Sequence, residues 1–127
     1  MLRRLIVPGL TTLILILVLS AVGIAGEADV VGVETGRAED GTLTFTVTVL
    51  HDDEGWDHYA DRFEILAPDG KVLATRVLYH PHVGEQPFTR SLTRVVIPEG
   101  MPAVTVRARD SVHGYGGKEM QVKTGDH

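Results

Sequence analysis

The chain has 127 residues, no cysteine and a formal net charge of −5. One domain fits that length and can bury a sufficient core without cross-links. The missing cysteine excludes a thiolate nucleophile, a cysteine zinc site and a blue-copper site. Setting aside Arg3 and Arg4 leaves ten of the 12 bases against 17 acids, a net −7, which argues against a nucleic-acid partner.

The first segment stands apart from the rest. After Arg3 and Arg4 no charge appears from Leu5 to Gly26, and Leu10 to Val22 is almost wholly apolar. Small residues follow at Ala21, Gly23, Ala25, Gly26 and Ala28. A basic start, an apolar core and a small-residue exit describe a secretory signal helix, cleaved after Ala25, Gly26 or Ala28. The 22-residue uncharged run is also long enough to stay as a membrane anchor. Residues 1–28 are therefore a signal peptide or anchor. Residues 29–127 form the exported domain, extracytoplasmic in either case (periplasmic, secreted or anchored by residues 5–26).

Short alternating runs with turns between them follow. They predict strands over residues 30–34, 42–50, 60–66, 71–79, 88–97, 103–110 and 118–124. The run 42–50 is the clearest, with Leu43, Phe45, Val47 and Val49 on one face and threonines on the other. Asp40-Gly41, Pro68-Asp69-Gly70 and Pro98-Glu99-Gly100 mark turns. The alternation slips near Val95-Val96, as at a bulge. No amphipathic helix of useful length is present. Seven short strands predict an all-β fold, a seven-stranded antiparallel sandwich of immunoglobulin or fibronectin-III type, with a small barrel as the alternative. The cysteine pair of antibody domains is absent, and Trp56 falls in a loop.

Three stretches are distinctive: GWDHYAD (Gly55 to Asp61), HPH followed by EQPFTRS (His80 to Ser91) and RDSVHGYGG (Arg109 to Gly117). They resemble a recurrent family of small exported prokaryotic proteins of uncharacterised function, across most of residues 45–117. The resemblance implies an exported β-domain and supplies no catalytic residue.

If successive strands run up and down, the connections 51–59, 80–87 and 111–117 share one end. All five non-terminal histidines then fall there: His51, His58, His80, His82 and His113. Strand parity aims His51, Asp61 and Asp110 at the mouth of the core, where a buried carboxylate needs a partner such as histidine. The expected function is a non-catalytic domain binding a divalent transition metal, Cu(II) or Zn(II), through these histidines. His80-Pro81-His82 is the best local pair, because residues i and i+2 of an extended segment project together. Asp61, Asp110, Trp56 and Tyr115 would support the site. Calcium is a weaker option through Asp52, Asp53, Glu54 and Asp57, whose spacing matches no EF-hand. Asp110, Ser111 and His113 have the residue types of an acyl-transfer triad, but neighbours in sequence do not make one. The alternative to metal is a protein- or glycan-binding module at the same end, anchored by Trp56, Tyr59, Tyr79, His82, Phe88, Arg90 and Tyr115.

Overall fold

A computed structural model of the chain describes residues 26–125. The expected N-terminal helix lies outside the described residues. Seven strands follow in order: β1 (Asp29–Arg37), β2 (Leu43–Leu50), β3 (Ala60–Leu66), β4 (Val72–Val77), β5 (Phe88–Val95), β6 (Ala103–Asp110) and β7 (Met120–Lys123). They form two antiparallel sheets, ordered β1-β2-β5 and β4-β3-β6-β7. The second strand thus lies in one sheet, and the third and sixth are neighbours in the other.

Period-two patterning explains the layering. In β2, Leu43, Phe45, Val47 and Val49 are buried while the intervening threonines are half-exposed. In β6, Val104, Val106, Ala108 and Asp110 are the buried set. All of these but Asp110 meet Val30, Phe63, Ile65 and Phe88 in one apolar core between the sheets. On the exposed face of the first sheet, Thr46 Oγ1 lies 3.1 Å from Ser91 Oγ, and Thr48 Oγ1 lies 2.8 Å from Thr89 Oγ1. Cross-strand hydroxyl pairs of this kind favour one register.

Two bulges matter. The first lies where the alternation of β5 slips, slightly upstream of the expected place. Leu43 pairs with Val95 and Phe45 with Leu92, so Thr93 and Arg94 oppose the single residue Thr44. Arg94 takes up the kink with a φ of 57°. The second lies at the start of β3, where Ala60 pairs with Asp110 and Arg62 with Arg109, leaving Asp61 as the extra residue. Ala60 therefore occupies the buried position, and Asp61 turns out to pair with Arg109 at 2.5 Å. That shift overrides the simple parity that aims Asp61 inward.

The outer face of the second sheet carries a polar cluster of its own. Glu64 is buried there beneath Arg62, Arg107 and Tyr115. Arg107 Nε donates to Glu64 Oε1 (2.9 Å), Tyr115 Oη donates to Glu64 Oε2 (3.0 Å), and the Arg107 guanidinium lies 3.7 Å from the Tyr115 ring centre.

Phe45 is fully enclosed. Phe45→Ala should cost about 3–5 kcal/mol in urea unfolding of the domain, from lost burial plus the cavity left behind. A loss below about 1 kcal/mol would contradict this account of the core.

Candidate metal centre

Three connections meet at one end of the sheets, with 51–59 in the middle. Asp53 joins it to 78–87: Asp53 Oδ2 accepts from the His82 backbone N–H at 2.7 Å, and the His51 N–H donates to Gln86 Oε1 at 2.9 Å. Tyr59 and Ser111 join it to 111–119: the Tyr59 N–H donates to Ser111 Oγ (3.1 Å) and the Ser111 N–H to the Tyr59 carbonyl (2.9 Å). The Ser111 hydroxyl is thus held in a loop clasp, and no bond to His113 assembles a triad among the described residues.

The centre of this end is Asp110, the last residue of β6, fully buried. Its Oδ2 accepts from the backbone N–H groups of Val112 (3.2 Å) and His113 (3.0 Å) and from His113 Nδ1 (3.0 Å). The same oxygen lies 2.9 Å from His58 Nε2 and 3.8 Å from His51 Nε2. Its other oxygen, Oδ1, is buried with no hydrogen-bond partner. Burial works to raise the Asp110 pKa. The His113 N–H, the His113 ring, the Val112 N–H and the charge of His51 together outweigh it, and the net shift is downward.

Both histidines facing Asp110 are backed by carboxylates. His51, only 3% exposed, holds Nδ1 2.5 Å from Asp53 Oδ1, and His58 holds Nδ1 2.8 Å from Glu54 Oε1. An ionised carboxylate only accepts, so each Nδ1 must carry the proton and donate it. Each Nε2 is then turned inward, toward Asp110 Oδ2 and the Gly26 carbonyl oxygen. That carbonyl lies 3.1 Å from His51 Nε2 and 3.4 Å from His58 Nε2. Acceptors thus face acceptors, which is unfavourable unless a proton or another cation lies between them. Consistently, the hydrogen bond to Glu54 leads in raising the His58 pKa, against desolvation, with Gly26 and Asp110 adding to the rise.

One ligand atom each from His51, His58 and Asp110 lies within 4.8 Å of the other two. Ligands about 2.0–2.2 Å from a tetrahedral zinc lie about 3.3–3.6 Å from one another. The two distances to Asp110 Oδ2, 2.9 Å from His58 Nε2 and 3.8 Å from His51 Nε2, lie on either side of that range. A cavity of about 100 Å³ opens here, lined by Gly26, His51, Asp52, Glu54, His58 and His113. A larger hollow of about 510 Å³ lies among the turns at the other end, lined by Arg37, Gly41, residues 97–102 and Gly125. Its lining holds no histidine, so size does not mark the candidate chemistry.

The five expected histidines divide. His51 and His58 converge, and His113 stands beside His58 with ring centres 4.9 Å apart while bonding Asp110. His80 and His82 pair with each other, with ring centres 5.1 Å apart, on the far side of Asp53. His82 stacks on Phe88 at 4.1 Å, and its Nε2 accepts from Arg90 at 2.8 Å. Desolvation, then the positive charges of Arg90 and His80, lower its pKa. That lone pair is already used, so His82 is unsuited to bind a cation. Asp61 pairs with Arg109 and Tyr115 covers Glu64, so neither reaches the centre. Trp56 is 67% exposed and packs edge-on against Tyr59. Sequence reasoning missed Asp53 and Glu54 as partners of the histidines, and Gly26 as a neighbour of the site. The spacing His51-x-Asp53 and Glu54-x-x-x-His58 was the available signal.

No family model matches the chain, and no solved structure matches it. It is 45% identical over 98 residues to a protein of Halomicrobium mukohataei named "Putative lipoprotein". The match covers 77% of this chain and 48% of that protein, so the chain spans about half the length of the curated relative it matches.

Two outcomes follow from these contacts. Asp53→Ala leaves three buried donors, His51 Nδ1–H, Ala60 N–H and His82 N–H, without their acceptor. It should cost about 3 kcal/mol or more in urea unfolding. For His82 the folded pKa is below the ordinary value of 6.5, so its contribution is complete above 6.5 and is lost as pH falls through the folded value. Urea midpoints at about pH 7 and about pH 5 should therefore converge in His82→Gln relative to the unchanged protein. An unaltered difference would exclude His82 as a source of acid sensitivity.

Proposed function

We propose that this is an exported, non-catalytic domain that binds a divalent transition metal, Cu(II) or Zn(II). The ligands are His51 Nε2, His58 Nε2 and Asp110 Oδ2. The observation that carries this reading is the placement of the two imidazoles, from which their tautomer follows. Each is held by a carboxylate at Nδ1 and turned by Nε2 onto one buried carboxylate oxygen. Carboxylate–histidine–metal arrangements orient and strengthen imidazole ligands in this way. His113 is read as a positioning residue that holds Asp110. The all-nitrogen-and-oxygen donor set favours copper or zinc over softer ions.

The domain is read as a sandwich of immunoglobulin or fibronectin-III type. β4 lies beside β3 rather than beside β5, which departs from the sheets of antibody constant domains and suits the fibronectin-III variant. Export is supported by the signal-like segment and by the name of the similar protein.

A second reading, a protein- or glycan-binding face at the same end, is favoured by Trp56 and Tyr79, which are 67% and 76% exposed. Capture of a partner that ignores chelators and is lost in Trp56→Ala would select it.

Titration with Cu(II) and Zn(II) near pH 7 tests the metal reading. His51→Ala and His58→Ala should each weaken binding by about 100-fold or more, and Glu54→Gln by about tenfold through the imidazole it orients. His80→Ala should leave affinity unchanged. Absence of binding tighter than the micromolar range in the unchanged protein would overturn the reading.

A further inference from the structure

Gly26 is an unusual neighbour for a cluster of histidines. Its carbonyl oxygen points between His51 Nε2 and His58 Nε2, at 3.1 Å and 3.4 Å. Its α-carbon lies so close to His113 that a β-carbon would stand 2.9 Å from Cε1 and 3.1 Å from Nε2 of that ring. Its φ of +153° adds to the restriction. Only glycine fits here without displacing the imidazole.

The residues that follow hold it in place. Ala28 is buried in the core, and Asp29 Oδ1 accepts from the Lys118 N–H at 2.7 Å. The Val30 N–H donates to the Lys118 carbonyl at 2.8 Å. Gly117 makes room for this strand entry, since a β-carbon there would stand 2.0 Å from the Ala28 carbonyl oxygen. Residues 26–30 are thus built into the domain. Among the three cleavage points compatible with the small-residue exit, cutting after Gly26 or Ala28 would remove part of this structure. Cutting after Ala25 leaves all of it.

We propose that the mature chain begins at Gly26 and that its α-amino nitrogen and carbonyl oxygen complete the metal centre as a five-membered chelate. The inference rests on the metal reading above. Hydrolysis of the Ala25–Gly26 amide by one water, on an export peptidase, leaves a carboxylate on Ala25 and an amino group on Gly26. On metal binding the ammonium gives its proton to solvent, and its nitrogen lone pair turns to the ion. With His51, His58 and Asp110, the donor set becomes three nitrogens and two oxygens, which suits Cu(II). Export processing would then also assemble the complete site, so the precursor would bind the ion weakly.

The test begins with N-terminal sequencing and intact mass of the exported protein, where Gly26 as first residue is expected. Cu(II) titrations then compare three forms: the chain beginning at Gly26, the same chain preceded by Met-Ala, and the chain with an acetylated Gly26 amine. The free-amine form should bind about tenfold tighter or more, because the fourth and fifth ligands come from one tethered residue. Its Cu(II) electron paramagnetic resonance spectrum should show one nitrogen more than the blocked forms. Equal affinity and equal spectra in all three would overturn the chelate while leaving the His51–His58–Asp110 site standing. Failure of every form to bind would overturn both. A mature terminus other than Gly26 would also overturn the proposal.

Discussion

Asp53 is buried at the open end of an apolar core, and its two oxygens take N–H donors from three separate segments. They hold His51 within its own loop, Ala60 at the start of β3, and His82 in the connection between β4 and β5. A buried carboxylate must be paired or supplied with several donors, because leaving it bare costs more than most single contacts return. Satisfying Asp53 ties the loops together, and the position of His51 follows from that. The loops are a consequence of this polar accounting as much as of the strands that end beside them.

Asp110 presents the complementary situation. One oxygen is oversupplied and the other has no partner. The two imidazoles facing it have their Nδ1 protons committed elsewhere. Protons on the inward nitrogens relieve the confrontation, and a metal ion bound as proposed would relieve it in their place. A proton and the proposed metal would compete for the same lone pairs, and the depressed pKa of Asp110 and the raised pKa of His58 express one electrostatic field.

A separate polar cluster, Glu64 under Arg62, Arg107 and Tyr115, lies on the outer face of the second sheet. There the charges are paired with cations and a phenol, and no lone pairs confront one another. The contrast explains why histidine and carboxylate content alone does not locate a site. What distinguishes the loop end is that its acceptors outnumber its donors.

Much of the architecture was legible in the chain. β-branched alternation marked the strands, Gly- and Pro-containing turns marked the hairpins, and counting strands put all five histidines at one end. These are local properties, decided by side-chain stereochemistry and period. The selection of His51 and His58 was not local. A bulge put Ala60 where Asp61 was expected, Arg90 took the lone pair of His82, and Tyr115 folded over Glu64 instead of the loop mouth. Each outcome depends on a partner distant in sequence, and a hydrogen bond has a direction that composition does not carry. The sequence by itself determined which end of the domain holds the chemistry. Only the tertiary structure decided which lone pairs face one another there, because that requires knowing where every neighbouring proton has gone.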